Sequence, residues 1–263
     1  MIFNTKLGTA GFDLLIGSAI DDLVFAFAGN DTVRGGLGND YLYGGDGQDV
    51  LYGEAGNDRV DGEIGDDILY GGDGNDVIFA GLGNDKLYGD AGDDQFSANA
   101  GNDFLYGGAG NDLLKGNEDN DTINGGIGDD KLYGGFGNDR LAGDAGHDTL
   151  MGGPGSDRIV MQYNQGADTV ETFENRGIDR LEVSASVFHL TSAIGGTLKA
   201  SEFLVSLNHS ATAATQRLMY ESDTHQLWAD LDGNGKVYAP VLIADFNGIA
   251  AGGAVAADFL IIA

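Results

Sequence analysis

Apolar side chains recur along this chain at a fixed interval of nine. Leu15, Val24, Val33, Leu42, Leu51, Val60, Leu69, Ile78, Leu87, Phe96, Leu105, Leu114, Ile123, Leu132, Leu141, Leu150 and Ile159 form one unbroken series. Each stands two residues after an Asp, and the Asp series runs just as regularly: Asp13, Asp22, Asp31, Asp40, Asp49, Asp58, Asp67, Asp76, Asp85, Asp94, Asp103, Asp112, Asp121, Asp130, Asp139, Asp148 and Asp157. Two residues before each Asp is Gly, except at Ile20 and Asp119; five before it is Gly, except at Ala26, Ala80 and Ala98. The apolar segment is too short for a helix and rich in Leu, Val, Ile and Tyr, so it predicts a three-residue strand whose central side chain points inward. The Gly-rich half predicts a tight turn.

Strand, turn, strand and turn make one coil of 18 residues. Residue i then lies above residue i+18 at the spacing of a parallel ladder, about 4.8 Å. The fold class predicted is all-β, a parallel β-roll or β-solenoid over residues 1–161. Two relics of the pattern, Gly166–Val170 and Gly177–Leu181, keep an Asp and an apolar residue at a spacing of eleven. They predict degenerate coils over 162–199 that finish the roll, since a stack of strands needs a cap over its last open edge. Over 200–263 longer alternating segments, 217–220, 226–229 and 237–244, predict a small β-rich capping region built as an antiparallel meander. The turn 230–235 has the beginning of an EF-hand loop, but the twelfth position is Val241 where Glu is required, and a hairpin turn is the better reading.

Charge decides what the repeats are for. The chain has 263 residues and a net charge of −29. Residues 1–161 hold 30 acidic and 8 basic residues, net −22, and the remainder net −7. Such acidity repels nucleic acid and anionic lipid, so neither is an expected partner. Stacked at 18-residue intervals, Asp22, Asp40 and Asp58 line one edge of the roll and Asp31, Asp49 and Asp67 the other. Without counter-ions these columns repel. A hard cation between successive turns, taking carboxylates and the carbonyls of Gly-rich turns, removes the conflict. Ca²⁺ accepts six to eight oxygens in a loose shell, whereas Mg²⁺ demands a rigid octahedron and keeps its water. With no Cys and four His, zinc and copper are poor candidates. A disordered Gly/Asp linker would share the composition but not the period.

The copies GGLGNDYLY (35–43), GGDGNDVIF (71–79) and GGFGNDRLA (134–142) resemble the RTX, or haemolysin-type, calcium-binding repeat. The resemblance covers about residues 8–161 and implies a right-handed parallel β-roll with Ca²⁺ in the turns of both edges. The metal ligands expected are Asp22, Asp31, Asp40, Asp49, Asp58, Asp67, Asp76, Asp85, Asp94, Asp103, Asp112, Asp121, Asp130, Asp139, Asp148 and Asp157. With them are expected the turn glycines Gly35, Gly38, Gly44, Gly47, Gly71, Gly74, Gly107, Gly110, Gly125, Gly128, Gly134, Gly137, Gly152 and Gly155. If each ion bridges one turn and the turn above it, the roll holds at most about 15 ions. The departures at Ile20 and Asp119, and Gly8-Thr9 in the first repeat, mark the weakest sites.

The resemblance also implies export by type I secretion machinery, with an uncleaved signal in the C-terminal region that contains YESDTHQLWADLDGNGKVY and ADFLIIA. The N-terminal segment makes a poor secretory signal peptide, and no run of 18 apolar residues is present to span a bilayer. The chain is therefore expected to be extracellular, exported without a signal peptide. Catalysis is not expected. HExxH and GxSxG are absent, Gly155-Ser156-Asp157 belongs to a repeat turn, and the Gly-x-Gly pairs are repeat glycines. His147, His189, His209 and His225 are scattered. Repeats begin by residue 8, so an enzyme served by this roll is expected on a separate chain. A further partner class is a glycan or surface polymer, for which the recurrent Tyr43, Tyr52, Tyr70, Tyr88, Tyr106 and Tyr133 offer aromatic contacts.

Overall fold

The computed structural model describes residues 3–161 and, beyond them, the strands at 168–171, 180–184, 203–206, 218–221, 226–229, 241–247 and 259–262. The described strands of the roll are β1 (Asn4–Leu7), β2 (Leu14–Ser18), β3 (Asp22–Ala28), β4 (Thr32–Leu37), β5 (Tyr41–Asp46), β6 (Val50–Ala55), β7 (Arg59–Ile64), β8 (Ile68–Asp73), β9 (Val77–Leu82), β10 (Lys86–Ala91), β11 (Gln95–Ala100), β12 (Phe104–Ala109), β13 (Leu113–Glu118), β14 (Thr122–Ile127), β15 (Lys131–Phe136), β16 (Arg140–Ala145), β17 (Thr149–Met151) and β18 (Arg158–Met161). Odd strands form one sheet and even strands the other, each paired in parallel with the strand one coil away. The molecule is an all-β parallel solenoid of about nine coils, with no helix among the described residues.

The register is the 18-residue register of the repeat: Leu87 lies beside Leu69 and Leu105, and Tyr88 beside Tyr70 and Tyr106. Rings of Tyr52, Tyr70 and Tyr88 stack with centroids 4.8 and 4.9 Å apart, which is the inter-strand spacing itself. The two sheets face each other across a thin core. Along each strand from β3 to β17 the Asp, the apolar residue two on and the Gly or Ala four on all point inward and are buried, so one large apolar side chain per strand fills the interior. Nearly all of these, from Val24 to Leu150, are fully buried.

The strands are longer than the sequence pattern suggested. Most run six residues where three were expected, because pairing resumes after the first Gly of the turn: Asp90 pairs with Gly108 and Ala91 with Ala109. The chain bends at the first Gly, and the next residue, held at positive φ, brings the backbone back into line with the neighbouring coil. Gly45 does this at φ 106°, but Glu54, Glu63, Asp90, Asn99, Asn117 and Asp144 do it at 66–84°. Both turn glycines lie close on the coil below, and a β-carbon on Gly45 would meet the carbonyl oxygen of Phe27. Gly47 sits at φ 148° with its α-carbon against the carbonyl of Gly29 in the coil below, so a β-carbon there would collide with backbone.

Past Met161 the roll continues. β19 (Asp168–Glu171) pairs in parallel with β17, and β20 (Arg180–Ser184) with β18. Thr169 lies opposite Thr149 and Arg180 opposite Arg158, so the added residues of the eleven-residue spacing lengthen these coils without shifting which residues face each other. Then follow β21 (Phe203–Ser206), β22 (Leu218–Glu221), β23 (Gln226–Ala229), β24 (Val241–Asn247) and β25 (Phe259–Ile262). The antiparallel pairs β22–β23 and β23–β24 are the expected meander; β21 joins β22 in parallel. β24 and β25 extend the two sheets by pairing with β19 and β20. The turn 230–235 and the positions 189, 209 and 225 of three histidines lie outside the described residues.

Gly47→Ala combines an unfavourable φ with a backbone collision, each of order 1 kcal/mol or more. It is expected to lower the thermal midpoint of the calcium-loaded roll by several degrees, whereas Glu63→Asn, at a position already held at φ 75° by a non-glycine residue, changes it by no more than about one degree. Thermal melts followed by circular dichroism check the contrast.

Candidate metal centre

From Asp22 to Asp157 each Asp of the repeat stands at or just before the start of a strand and is buried beside the turn that precedes it. The inter-coil bond is directional: the backbone N–H of Asp40 donates to Oδ1 of Asp58 at 2.7 Å, that of Asp94 to Asp112 at 2.8 Å, and that of Asp139 to Asp157 at 3.0 Å. One column runs Asp22, Asp40, Asp58, Asp76, Asp94, Asp112, Asp130, Asp148, and the other Asp13, Asp31, Asp49, Asp67, Asp85, Asp103, Asp121, Asp139, Asp157. Thus each carboxylate is fastened through one oxygen to the coil before it.

The other oxygen has nothing. Oδ2 of all fifteen Asp residues from Asp31 to Asp157 is buried without a hydrogen-bond partner. It faces the glycine five residues earlier: Gly35 for Asp40, Gly44 for Asp49, Gly71 for Asp76, Gly107 for Asp112, Gly125 for Asp130, Gly134 for Asp139 and Gly152 for Asp157. A methyl group on Gly44 would lie 2.5 Å from Asp49 Oδ2 and 2.8 Å from the carbonyl oxygen of Gly62, one coil on. The space that a side chain would take is thus lined by oxygen. At Ala26, Ala80 and Ala98 a methyl group does occupy the corresponding position. The second set of expected glycines, Gly38, Gly47, Gly74, Gly110, Gly128, Gly137 and Gly155, forms the outer turn, most of them packed on a carbonyl of the preceding coil.

Burial and mutual repulsion disturb the carboxylates strongly. Loss of water pushes the Asp67, Asp94 and Asp121 carboxyls up to about 8, opposed by the backbone hydrogen bond and reinforced by the Asp neighbours in the column. Burial, opposed by the backbone hydrogen bond and reinforced by nearby acidic groups, brings Asp58, Asp85 and Asp130 to about 7 and Asp49 and Asp76 to about 6. The ion pairs Arg34–Glu54 and Arg59–Asp61 lie away from the columns, on the sheets. Among the described residues, no three Asp, Glu or His side chains converge on one point. A cation here would need backbone carbonyls to complete its shell. That oxygen-only, partly main-chain donor set, with orphaned carboxylate oxygens, fits a hard cation of Ca²⁺ type.

Eight overlapping stretches between residues 7 and 159 match the family described as RTX calcium-binding nonapeptide repeat (4 copies). The chain belongs to that family. Its repeats form a calcium-binding β-roll. Thirty-three chains of solved structures match, among them the solution structure of the AlgE6R3 subunit from the Azotobacter vinelandii mannuronan C5-epimerase, at 23% identity and a TM-score of 0.37, covering 57% of this chain and 80% of that one. No curated protein matches.

Three features of the RTX roll were not read from the sequence. Asp168 joins the first column: it is buried, and its Oδ1 accepts from the Asp148 N–H at 3.2 Å. Its degenerate Gly-x-Asp motif was the available signal. The residue before each Asp builds a second, outer ladder running the opposite way. The N–H of Asn57 donates to Asn39 Oδ1 and that of Asn75 to Asn57 Oδ1, and His147 takes part through its backbone N–H to Asp129. The frequency of Asn and Asp at that position was its signal. Finally, Asp22 departs from the other expected ligands, because both its oxygens are already bonded: Asn4 Nδ2 donates to Oδ1, and the Ser18 N–H and hydroxyl to Oδ2.

The raised carboxyls fix the pH dependence of the metal-free roll. An unfolded Asp titrates near 4, while the folded columns hold protons up to about 6–8. The associated stability is therefore fully present below about pH 4 and is lost as pH rises through 6 to 8. In EDTA the β signal in far-UV circular dichroism is expected to fall between pH 5 and 8. Calcium, which binds the ionised form, is expected to abolish that fall.

Proposed function

We propose that the roll is an exported module that stays unfolded where calcium is scarce and winds up where calcium is plentiful, with calcium held by the Asp columns and turn glycines named above. What supports this reading is the row of buried Asp Oδ2 atoms with no partner in the protein. At neutral pH a wound roll without cations keeps these carboxylates either charged and unsolvated or protonated against their tendency, and both destabilise it. Bound Ca²⁺ supplies positive charge and accepts oxygen ligands from successive turns. The chain supplies Asp Oδ2 and the Gly carbonyls beside it.

Magnitudes support a switch. Extracellular calcium modules bind at roughly 10⁻⁴–10⁻³ M. At millimolar calcium each such site adds about 0.5–1.5 kcal/mol through linkage, and a dozen together add on the order of 10 kcal/mol, the size of a whole domain's stability. At cytosolic calcium the sum vanishes. An acidic, Gly-rich chain then remains expanded, which suits passage through a type I export channel. The degenerate coils over 162–199 and the β-rich region over 200–263 complete this division of the chain, the last serving as cap and export signal. The role is binding and folding on export, not catalysis.

A second reading, attachment to an acidic glycan, rests on one observation. A shallow groove of about 440 Å³ on the odd-stranded sheet is lined by Leu113, Lys115, Asn117, Lys131 and Tyr133. Its lysines have no ion-pair partner among the described residues. The Tyr ladder of the other sheet fits sugar stacking poorly, because Tyr52, Tyr70 and Tyr88 present their faces to one another. Lys115→Glu with Lys131→Glu is expected to abolish retention on an immobilised polyuronate if this reading holds, and leave calcium binding unchanged.

The primary reading is tested by titrating the chain with CaCl₂ at pH 7.5 under far-UV circular dichroism, with MgCl₂ as control. A cooperative coil-to-β transition near millimolar calcium, absent with Mg²⁺, is the expected outcome. A β-roll already formed in EDTA and indifferent to calcium overturns it.

A further inference from the structure

The first coil is built differently from the coils that follow. In the repeat, the residue four before each Asp is the second turn glycine or a residue that replaces it at positive φ. In the first two turns it is a hydroxyl residue: Thr9 before Asp13 and Ser18 before Asp22. Both have left the positive-φ conformation of the other turns. Their N–H and hydroxyl groups consequently aim at the carboxylate. Thr9 donates to Asp13 Oδ2 from N at 2.6 Å and from Oγ1 at 2.9 Å; Ser18 donates to Asp22 Oδ2 from both N and Oγ at 2.7 Å.

One coil further toward the N-terminus, Asn4 stands in the register position of an Asp, directly beside Asp22. Its amide donates to Asp22 Oδ1 at 2.6 Å. A column Asp thus ends on a neutral donor where a further carboxylate would add repulsion. Asp22 is fully buried, and it is the column's first Asp, yet its Oδ2 is satisfied, whereas Oδ2 of Asp31, Asp40 and each later repeat Asp to Asp157 is not.

We infer that Asn4, Thr9 and Ser18 close the first two turns without metal, so that the calcium array begins at Asp31 and Asp40 and the N-terminal coil is a metal-independent cap. The inference rests on the reading that the column carboxylates hold calcium. The chemistry is substitution of donors: three hydrogen bonds to the Asp22 carboxylate and two to that of Asp13 supply the positive field that a cation supplies elsewhere. A carboxylate satisfied in this way gains little from a metal, because each bond would have to be broken to bind it. Solenoids are closed by capping units that differ from the repeat, and these three side chains give the first coil such a departure.

The experiment counts calcium bound per chain at saturation, by equilibrium dialysis and elemental analysis, for the full chain and three variants. Asp94→Asn is expected to lose at least one ion, Asp22→Asn none, and Ser18→Gly to gain one, since glycine restores the open turn and frees Asp22 Oδ2. Loss of an ion in Asp22→Asn, equal to that in Asp94→Asn, overturns the cap. So does an unchanged count in Ser18→Gly when its circular dichroism in calcium matches the parent chain. If Asp94→Asn loses no ion, the failure lies in the assignment of calcium to the columns and not in the cap. Should Ser18→Gly fail to fold, Ser18→Ala, which removes the hydroxyl but keeps the N–H, is read in its place: an unchanged count with a lowered midpoint in calcium supports the cap, and a reduced count overturns it.

Discussion

The structure depends on one conflict: carboxylates stacked in register inside a thin apolar roll. Each Asp must point inward, because its own N–H and Oδ1 make the bond that links its coil to the next. The price of that link is a second oxygen left buried and unpaired from Asp31 to Asp157. Burial and neighbouring charge drive the carboxyls of the column centres up to about 6–8. The interior offers little to offset this, since each strand contributes one large apolar side chain. A roll of this kind is incomplete as a protein and becomes complete with a hard cation, which is why folding and binding are one event in the proposed function.

The glycines follow from the same geometry. At the first turn position glycine leaves open the oxygen-lined space beside Asp Oδ2, and at the later one it lets one turn lie on the carbonyl of the turn below. Close approach of backbones explains these positions better than flexibility does. Between them Glu, Asp and Asn stand at φ of 66–84°, while the glycines at the same position lie at 103–120° with a carbonyl of the neighbouring coil in the way of a β-carbon.

Both ends of the roll meet the requirement for closure by different means. At the N-terminus Asn4, Thr9 and Ser18 supply donors to Asp13 and Asp22. Toward the C-terminus the columns run on into Asp168 and the sheets into β24 and β25, so that the nine-residue period ends before the architecture does. Period and fold are separable because the ladder requires facing strands of matching register, not turns of equal length.

The amino-acid sequence by itself determined the coil length, the inward apolar column and the paired Asp columns, because a strict period of nine with two strands per coil allows one stacking register. It also made the oxygen-rich, cysteine-free donor set legible. Tertiary structure decided what each group does across that stack. Which oxygen of Asp58 is bonded and which is bare, that Asp22 is satisfied by Ser18 while Asp40 has no such donor, that Asn39 and Asn57 form an outer ladder, and that strands continue past the first glycine are all relations between coils. Hydrogen bonds between residues 18 apart depend on backbone orientation at close approach, and a linear pattern records who is adjacent without recording which way the donors point.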